Sequence, residues 1–399
     1  MTINVLYLAH DLSDPAIRRR VVMLKAGGAT VSVAGFLRDV NRLADERDVP
    51  VRVLGETADG RFAQRIGAVV KARATLSRHL SGLQKPEVII ARNLEMLALG
   101  EGARAHFGAT SALVYECLDI HRLLLDEGIK GRLLRAAEGQ FGRSADLLVT
   151  SSPAFVEHYF KPRSKLRLPV MLLENKVLDL DPHPGLWPPV ARPPRKGEPW
   201  RIGWFGAIRC RKSFAILAEI AAAMKGQVEI VIRGRVSPKE FPDFEQQVAQ
   251  TPHVSFHGTY RNPEDLSRIY GEVQFVWAID FFEEGLNSEW LLPNRLYEGV
   301  LHGAVPIALS STETGRFLAR RQLGLLLAQA HVPEIVRRLQ ALGVDEYLSL
   351  FATLADSDHS AWAVGRAECQ ALVRQLAALG STAPAEAGFI IPSPLQSEG

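Results

Sequence analysis

The sequence predicts an α/β protein of two domains, each built on a parallel sheet that helices cover on both faces. Three observations predict this architecture. Short continuous apolar runs alternate with helical patterns along most of the chain, as is typical of buried parallel strands. The alternation stops at one proline-rich segment and then starts again. A chain of 399 residues is also long enough for two domains that each bury a core.

The first half of the sequence predicts seven strands. They cover residues 4–9, 30–36, 51–55, 87–92, 112–117, 147–152 and 170–175. Helical patterns lie between most of them, and the first, PAIRRRVVMLKAGG, ends in the Gly-Gly that often stops a helix. We therefore predict an N-terminal Rossmann-like domain over residues 1–178.

The segment DLDPHPGLWPPVARPPRKGEPW, residues 179–200, is predicted to be a linker. It holds seven prolines and two glycines, which exclude a regular helix or a central strand. A second Rossmann-like domain, residues 201–358, follows. Its predicted strands cover residues 201–206, 228–234, 253–260, 274–280, 304–310 and 323–328. Helical patterns between and after them cover residues 211–226, 238–250, 263–273, 293–303, 314–322 and 332–343.

The end of the chain predicts one more helix and a tail. The pattern SAWAVGRAECQALVRQLAALG predicts a helix within residues 359–380. Residues 381–399 are rich in Pro, Ala, Ser and Gly, which predicts a flexible tail.

Composition excludes several classes of protein. A formal net charge of +3 and a pI near 8.7 lack the strong basic bias of nucleic-acid binders. Three widely spaced cysteines form neither a zinc motif nor a disulfide framework, which favours a reducing cytoplasm. The N-terminus has no basic region before its apolar run, and no apolar stretch approaches the ~20 residues of a membrane span. We expect a cytoplasmic protein that meets a membrane only at its surface.

The stretch LLPNRLYEGVLHGAVPIA, residues 291–308, predicts a helix that leads into a buried strand. Pro293 suits the first helical position, where its missing N–H costs nothing. Free N–H groups at such a helix start attract anions, and Asn294, Glu298 and His302 share one helix face. The Glu298 carboxylate is placed to accept two hydroxyl hydrogen bonds, as from a ribose. Alternatively, Arg295 and Glu298 form an ion pair of only ~0.2–0.5 kcal/mol, and His302 satisfies the helix end.

The segment GWFGAIRCRKSF, residues 203–214, is a second candidate. We predict a strand that ends at Phe205 and a helix that starts near Lys212. Gly206 allows the backbone to approach a ligand closely, and Arg209 and Lys212 supply positive charge for a phosphate. The segment matches neither a P-loop nor a dinucleotide fingerprint. The alternative is a solvated basic turn, an interpretation strongest for Arg211.

A third candidate is the loop AIDFFEEGLNSEWL, residues 278–291, after a predicted strand. Its carboxylates are Asp280, Glu283, Glu284 and Glu289, which could hold the hydroxyls of a sugar. The alternative is an ordinary surface loop, and the spacing does not rank the four acids.

Three loops of the first half also follow strands and carry polar residues. These residues are His10 and Asp11, then Arg92, Asn93 and Glu95, and then Asp119 and His121. Each residue by itself is readily explained as structural. Because the carboxyl ends of parallel strands share one edge, we expect the three loops to converge. Asp119 and His121 are close enough in sequence to act on one substrate as acid or base.

Residues 60–86 carry six basic side chains and no acid. The basic residues are Arg61, Arg65, Lys71, Arg73, Arg78 and Lys85. Apolar residues recur between them at roughly helical spacing, so the segment predicts a membrane-surface helix. The alternative is a helix packed on the sheet with a solvated basic face.

These motifs resemble the GT-B glycosyltransferases. The resemblance depends on Gly203, Gly206, Arg209 and Lys212 at three-residue spacing, and on the run PNRLYEGVLHGAVPI. It covers roughly residues 3–380 and is greatest for family 4-like enzymes, including those that build bacterial exopolysaccharides such as succinoglycan. It implies two Rossmann-like domains that face a central cleft, and a last helix, within 359–380, that crosses back to the first domain.

The resemblance also implies roles for residues of the second domain. A UDP- or GDP-linked sugar would bind there as substrate, with no other cofactor and no metal. Glu298 matches the glutamate that holds the ribose, and Arg209 and Lys212 match the basic pair on the diphosphate. Asn294 and Arg295 lie at the helix start near the same phosphates.

The first domain would bind the acceptor, and His121 matches an active-site histidine after a strand. The sequence departs from the family at one point. Retaining members often carry a glutamate eight residues before the one that Glu298 matches, but position 290 is Trp and the nearest acid is Glu289. Retention or inversion at the anomeric carbon therefore stays open.

We accordingly expect a metal-independent glycosyltransferase of polysaccharide biosynthesis. Asp11, Asp119 or His121 would handle the acceptor hydroxyl, and the acceptor would be a saccharide that is lipid-linked if residues 60–86 meet the inner membrane. The alternatives are a GT-B-fold sugar-nucleotide epimerase and a non-catalytic nucleotide-sugar-binding subunit. We also expect Glu298→Ala to weaken nucleotide-sugar binding with little loss of stability.

Overall fold

The computed structural model describes residues 2–38, 48–57, 62–182 and 187–379. The chain forms two compact units: unit 1 is Met1–Glu174 with Val364–Gly399, and unit 2 is Asn175–Ala363. The division after Glu174 lies a few residues before the predicted boundary at 178, and the proline-rich segment 179–200 belongs to unit 2. The predicted tail, residues 381–399, lies outside the described residues.

Unit 1 is built on a seven-stranded parallel sheet of order β3-β2-β1-β4-β5-β6-β7. The strands are β1 Asn4–Ala9, β2 Thr30–Leu37, β3 Val51–Glu56, β4 Val88–Arg92, β5 Ala112–Glu116, β6 Leu147–Thr150 and β7 Val170–Leu172. Val5 of β1 lies beside Val31 of β2 and Val88 of β4. The strand order reverses between β1 and β4, which makes their carboxyl ends the usual ligand position of such a sheet.

The helices of unit 1 connect these strands. They are α1 Pro15–Ala26, α2 Phe62–Leu80, α3 Asn93–His106, α4 Arg122–Leu125, α5 Ile129–Phe141 and α6 Pro153–Phe155. Asp14 caps α1 by accepting a hydrogen bond from the Ala16 amide, and Pro15 occupies the first turn. α3 packs against both α2 and α5.

Unit 2 is built on a six-stranded parallel sheet of order β11-β10-β9-β12-β13-β14. Its strands are β9 Trp200–Ile208, β10 Val228–Val236, β11 Val254–Phe256, β12 Phe275–Trp277, β13 Val305–Leu309 and β14 Leu325–Leu327. Two further short strands, β8 Val177–Leu178 and β15 Ala363–Val364, pair with each other outside this sheet. Here the order reverses between β9 and β12. Trp204 and Trp277 on these strands are fully buried, which fixes the position of their carboxyl ends.

The helices of unit 2 are mostly short. They are α7 Arg211–Met224, α8 Phe244–Ala249, α9 Leu266–Tyr270, α10 Asn287–Trp290, α11 Asn294–Leu301, α12 Glu313–Ala319, α13 Val332–Gln340 and α14 Val344–Ala355. The last helix of the chain, α15 Arg366–Leu379, belongs to unit 1 and packs on α1. A Cβ on Gly27, which ends α1, would lie only 2.3 Å from the Cys369 carbonyl oxygen of α15. The expected return of the last helix to the first unit is therefore confirmed.

The structure corrects the bounds of several predicted elements. β11 covers only Val254–Phe256 of the predicted strand 253–260. α8 begins at Phe244 instead of 238, because Pro242 interrupts the predicted helix. α15 begins at Arg366 instead of 359, since the Trp362 carbonyl accepts a hydrogen bond from the Val177 amide and its indole N–H donates to Ser357 Oγ. No helix within the described ranges is long and apolar enough to cross a bilayer.

Candidate functional site

Two glycines with positive φ lie near the carboxyl ends of β9 and β10. Gly206 has a φ of +111° and Gly234 a φ of +143°, and they are partners in the β9–β10 register. A Cβ on Gly234 would lie 1.8 Å from the Gly206 carbonyl oxygen, whereas a Cβ on Gly206 would meet no atom within 4 Å. Gly234 is thus required by packing, and Gly206 opens to free space beside the point where the strand order reverses.

Arg209 and Lys212 follow Gly206 and contact the loop after β12. The Arg209 guanidinium lies 4.5 Å from the centre of the Phe282 ring. Lys212 Nζ lies 4.7 Å from the Phe281 ring centre and donates to both carboxylate oxygens of Glu284, at 2.6 and 2.8 Å. Both side chains of the Lys212–Glu284 pair are about half exposed. The side chains of both cations therefore pack against the same loop and remain accessible to solvent.

The connection from β9 to α7 is shorter than predicted. β9 continues to Ile208 instead of ending at Phe205, and α7 begins at Arg211. Cys210 caps this helix, since its Sγ accepts a hydrogen bond from the Ser213 amide. Arg211 lies 3.6 Å from Glu240 and its side chain is exposed. Arg211 thus fits the solvated alternative that the sequence favoured for it.

Asp280 is a largely buried carboxylate of the loop after β12. It accepts hydrogen bonds from the Phe282 amide and Ser288 Oγ, at 2.7 and 2.9 Å, and lies 3.5 Å from Arg295. Burial raises the pKa of Asp280, but Arg295 and these donors outweigh it and keep the pKa below its ordinary value. Asp280 therefore anchors the loop to α11.

The other loop acids are closer to solvent. Glu289 is exposed and accepts a hydrogen bond from the Gly285 amide at 3.1 Å. Its neighbour Trp290, which occupies the position where the resemblance led us to look for a glutamate, is buried. Among the loop acids, the structure therefore separates Asp280, which is structural, from Glu284 and Glu289, which face solvent.

The start of α11 presents Asn294 to solvent and buries Arg295. Pro293 is the N-cap residue, with an extended backbone (φ −73°, ψ 149°), and not the first helical residue that the sequence predicted. Two groups of the loop after β12 hold Arg295 in place: its guanidinium donates to the Ile279 carbonyl at 3.1 Å and lies 3.5 Å from the Asp280 carboxylate. Of the two residues, Asn294 is the one whose side chain can meet a ligand directly.

Glu298 is buried one turn into α11. One carboxylate oxygen accepts from Asn262 Nδ2 at 2.8 Å and the other from the Tyr270 hydroxyl at 2.9 Å. Burial and the Glu298 charge both raise the pKa of Tyr270, so the tyrosine stays protonated and donates. The expectation that Glu298→Ala costs little stability is therefore revised, since the change would leave two donors without their acceptor.

His302 ends α11, as the structural interpretation expected. It is the C-cap residue and stacks at 6.1 Å on Tyr270. Burial, with a smaller contribution from Arg192, lowers the pKa of His302 to about 4. His302 is thus a neutral, packed side chain at the end of the helix opposite to Asn294.

In unit 1 a buried polar network lies beneath the carboxyl ends of β1, β4 and β5. Glu116 accepts from the Tyr7 hydroxyl at 2.5 Å, from Arg20 Nε at 2.7 Å and from Arg92 at 3.3 Å. Burial raises the pKa of Glu116, but Arg20 and Arg92 outweigh it and lower the pKa below its ordinary value. The network fixes the ends of the strands that carry the predicted loops.

His10, directly after β1, lies among three arginines. Its Nε2 is 3.6 Å from Asp14, and its buried Nδ1 has no hydrogen-bond partner in the described part of the chain. Burial and the charges of Arg92, Arg38 and Arg65 keep the pKa of His10 well below its ordinary value. His10 is therefore neutral at physiological pH.

Asp11 and Asp119 differ in their surroundings. Asp11 accepts from the Ser13 amide at 3.0 Å and from Ser13 Oγ at 2.6 Å, and it lies 3.9 Å from Arg38. Asp119, by contrast, has an exposed side chain.

The loop after β4 carries Arg92 and Asn93. Arg92 joins the network on Glu116, and Asn93 begins α3 with a left-handed φ of +68°, which asparagine tolerates.

His121 caps the short helix α4. Its Nδ1 accepts a hydrogen bond from the Leu123 amide at 3.2 Å. Burial, followed by Arg65, Arg122 and Arg38, lowers the pKa of His121. Arg38 and Arg65 thus influence both His10 and His121, and Arg65 also pairs with Glu95. The structure therefore brings the three predicted loops to one edge of the sheet.

The sequence interpretation missed the side chains that hold these candidates in place. They are Tyr7, Arg20 and Glu116 in unit 1 and Asn262 and Tyr270 in unit 2. Only Glu116 gave a signal, because a charged residue ends the otherwise apolar strand ALVYE. No group of three or more His, Cys, Asp or Glu in the residues that the structure describes is placed to hold a metal.

Comparisons with known proteins identify one curated relative and many similar folds. No family model matches the chain. The chain is 55% identical to the succinoglycan biosynthesis protein ExoL of Rhizobium meliloti (strain 1021) over 384 residues, which cover 96% of this chain and 95% of the relative. That identity and coverage show a shared family.

Solved structures of low sequence identity share the fold. The Anabaena protein HepE in complex with UDP-glucose matches with a TM-score of 0.67 and 16% identity over 95% of this chain and 100% of its own. The lipopolysaccharide outer core galactosyltransferase WaaB matches with a TM-score of 0.60 and 13% identity over 96% of this chain and 100% of its own. At such identities the likeness shows the fold alone, and it confirms the predicted GT-B architecture.

Proposed function

We propose a donor and an acceptor for this chain, which belongs to the GT-B glycosyltransferases of exopolysaccharide biosynthesis, in the family of the succinoglycan biosynthesis protein ExoL. Unit 2 binds a nucleotide-diphosphate sugar, and unit 1 binds a saccharide acceptor. The enzyme transfers the sugar from the nucleotide-diphosphate donor to the saccharide acceptor. The HepE complex with UDP-glucose supports a UDP-linked donor.

One observation carries the donor proposal. Gly206 opens the backbone where the strand order of unit 2 reverses, and the cations Arg209 and Lys212 follow it directly. An open glycine with adjacent positive charge is a site that a diphosphate can approach closely. The N-terminus of α11, held by Arg295 on the Asp280 loop, adds N–H groups at the same edge.

Lys212 can exchange its partner when the donor binds. An exposed pair such as Lys212–Glu284 contributes only about 0–1 kcal/mol, so a diphosphate can replace the glutamate. Arg209 and Lys212 would then stabilise the negative charge that develops on the leaving diphosphate. We therefore expect Lys212→Ala to act mainly on kcat, and to weaken the binding of UDP, which carries the charge of the leaving diphosphate.

Glu298 keeps the capacity to bind a ribose. An ionised carboxylate has about four acceptor sites, and Asn262 and Tyr270 use one on each oxygen. The two ribose hydroxyls would be further donors to the same carboxylate. The buried donors beneath Glu298 would hold it in the orientation that this role requires.

His121 is proposed to donate a hydrogen bond to a sugar hydroxyl. Because its Nδ1 accepts from the Leu123 amide, the neutral ring carries its proton on Nε2. Nε2–H then donates and does not act as a general base. Any proton abstraction from the acceptor would pass to Asp11 or Asp119, of which Asp119 is the more exposed.

The acceptor is proposed to be lipid-linked and met at the inner membrane surface by α2. Lys71 and Arg78 of α2 are exposed, and so are the apolar residues Ile66 and Val70 of the same helix. Arg73 is used internally instead, since it donates to the Ala98 carbonyl of α3. Arg61, also predicted to contribute, lies outside the described residues.

Incubation with a panel of UDP-sugars, with and without lipid-linked saccharide acceptors, tests the proposed reaction. We expect transfer that requires an acceptor and at most slow hydrolysis without one. An epimer formed from the donor alone would instead establish the epimerase. UDP binding without hydrolysis or transfer would establish a non-catalytic subunit.

A further inference from the structure

The loop from β5 to α4 in unit 1, residues 117–121, presents Asp119 and His121 to solvent. Both residues are exposed, whereas Ile120 between them is fully buried. Ile120 thus holds the middle of this β5–α4 loop in the core, and its two polar neighbours stay accessible. In the proposed function these two side chains meet the acceptor hydroxyl, so the position of the loop matters for the reaction.

Two buried hydroxyl groups at the end of β6 bond to the backbone of the β5–α4 loop. Thr150 Oγ1 donates to the Cys117 carbonyl, and Ser151 Oγ donates to the Leu118 carbonyl, both at 2.8 Å. Thr150 is the last residue of β6 and Ser151 follows it, and their exposures are 0% and 1%. The two carbonyls directly before Asp119 are therefore tied to the neighbouring strand by side chains.

Further hydrogen bonds fix the two ends of the β5–α4 loop. At the first end the Cys117 amide donates to the Val149 carbonyl at 2.8 Å, which extends the pairing of β5 with β6. At the second end the His121 carbonyl accepts from the Leu124 amide at 2.8 Å, and His121 Nδ1 accepts from the Leu123 amide. The two hydroxyl groups hold the part of the loop between these ends.

A buried serine at the opposite edge of the same sheet makes the same kind of bond. Ser111 directly precedes β5, is 3% exposed and donates through Oγ to the Pro86 carbonyl at 2.6 Å. Pro86 lies before β4, so this bond is at the amino edge of the sheet, away from the β5–α4 loop. Ser111 and Ser151 therefore share burial and bonding, and they differ in the edge that they hold.

We propose that Thr150 and Ser151 are positioning residues for the transfer reaction. Their hydroxyls hold the β5–α4 loop so that its Asp119 and His121 side chains meet the acceptor hydroxyl in one fixed arrangement. Both are buried and bonded to the loop backbone, so they act through the loop and do not touch the acceptor. Groups held in place before the substrate binds lower the barrier, and a displacement of ~1 Å can cost about 10²-fold in rate. The proposal rests on the proposed function, in which this loop handles the acceptor.

Steady-state kinetics of wild type, Ser151→Ala and Ser111→Ala test the proposal. The substrates are the pair that wild type turns over fastest among the UDP-sugars and lipid-linked saccharides of the panel. We expect both variants to be folded by circular dichroism and to lose Tm to a similar extent, since each loses one buried hydrogen bond. Only Ser151→Ala should lower kcat, by about tenfold or more, with the KM of the donor unchanged. Equal kcat in the two variants would overturn the proposal.

Thr150 offers a second pair of variants that differ in one hydroxyl. Thr150→Val keeps the branched shape of the side chain and removes the donor, whereas Thr150→Ser keeps the donor. We expect kcat to fall in Thr150→Val and to stay near the wild-type value in Thr150→Ser. A fall of equal size in both would assign the effect to packing and overturn the role of the hydroxyl.

Hydrogen–deuterium exchange of the chain without substrate measures the loop directly. The Leu123 and Leu124 amides both donate to His121, so their exchange reports whether the end of the loop is held. This exchange should be faster in Ser151→Ala than in wild type and unchanged in Ser111→Ala, because only the first change releases the loop. Equal exchange in all three proteins would mean that the hydroxyl does not hold the loop.

Asp119→Asn and His121→Gln separate this proposal from the proposed function. If either lowers kcat while Ser151→Ala does not, the loop handles the acceptor and only the positioning role is wrong. If both retain the wild-type kcat, the proposed role of the loop in acceptor chemistry is wrong, and the positioning role fails with it. No transfer by wild type would overturn the proposed function, and exchange would still show whether the hydroxyls hold the loop.

Discussion

The carboxyl edges of the two sheets are built in opposite ways. In unit 1 the edge lies on a buried network in which Glu116 joins Tyr7, Arg20 and Arg92. In unit 2 the corresponding edge has an open glycine and a half-exposed pair, Lys212 with Glu284. Buried pairs thus hold the unit 1 edge, whereas the unit 2 edge adds a weak, exchangeable pair to its buried Asp280–Arg295 pair.

This difference separates positioning from binding. A buried charge that loses its partner costs several kcal/mol, whereas an exposed pair contributes about 0–1 kcal/mol. A diphosphate could therefore displace Glu284 from Lys212 easily, while the arginines around Glu116 are already committed. Substitutions at the unit 1 edge should act first on stability, and those at the unit 2 edge first on donor binding.

The largest expected effect is on the stability of unit 1. Glu116→Gln leaves Arg20 and Arg92 without their buried anion, so we expect a loss of about 3–5 kcal/mol in the free energy of unfolding. Urea unfolding at pH 7 measures it. The control is Glu157→Gln, which removes the exposed pair with Lys161 and should change the free energy by less than about 1 kcal/mol.

The same variant has a defined pH dependence. The folded protein holds the pKa of Glu116 below its ordinary value of 4.5, so its contribution is present above pH 4.5. That contribution is lost as the pH falls through the lower, folded pKa. The stability difference between wild type and Glu116→Gln should therefore shrink below pH 4.5, and a constant difference would contradict the ion pairing.

Glu298→Ala should affect both stability and binding. Tyr270 and Asn262 lose their acceptor, which should cost about 2–3 kcal/mol in unfolding free energy, and the ribose loses its carboxylate. Urea unfolding and calorimetric titration of UDP measure the two effects. Tyr270→Phe is the comparison: it should lose about 1 kcal/mol, and because Asn262 still holds the carboxylate, it should lose less UDP affinity than Glu298→Ala. Equal UDP affinity in wild type and Glu298→Ala would reject the ribose role.

Gly206→Ala should have a smaller effect on stability. An alanine at a φ of +111° costs about 1–2 kcal/mol, and its methyl group would occupy the space proposed for the diphosphate. Gly197→Ala is matched in strain, with a φ of +90° and nothing within 4 Å, but it lies in the proline-rich segment. We expect UDP affinity to fall only in Gly206→Ala, and a similar fall in both would assign the effect to strain.

The smallest expected effect is that of Glu284→Gln. The exposed pair with Lys212 should contribute less than about 1 kcal/mol to stability. Since Lys212 is then free for a diphosphate, UDP affinity should stay the same or rise. A clear fall in affinity, measured by calorimetry, would mean that Glu284 itself contacts the donor.

The fold was predictable from the sequence because its strands are continuous apolar runs. Each of the thirteen predicted strands is present, and the two missed ones, β8 and β15, have only two residues each. The predicted start of α15 was wrong because the hydrogen bonds of Trp362 with Val177 and Ser357 hold the preceding residues out of the helix.

The sites were predictable only in part. Spacing and resemblance pointed to Glu298, Arg209 and Lys212, and their roles stay predictions. Their partners could not be foreseen, because Tyr270, Asn262 and Glu284 come from other segments of the chain. The proton position on His121 likewise depends on a backbone amide that spacing does not reveal.

The most direct test of the donor site is a calorimetric titration of UDP into wild type, Lys212→Ala and Arg211→Ala. The two variants remove adjacent cations of α7. The Arg211 side chain faces Glu240 and solvent, whereas the Lys212 side chain contacts the loop after β12. We predict that wild type and Arg211→Ala bind UDP equally and that Lys212→Ala binds about tenfold or more weakly. No binding by wild type, or equal binding by all three proteins, would contradict a diphosphate site at Lys212.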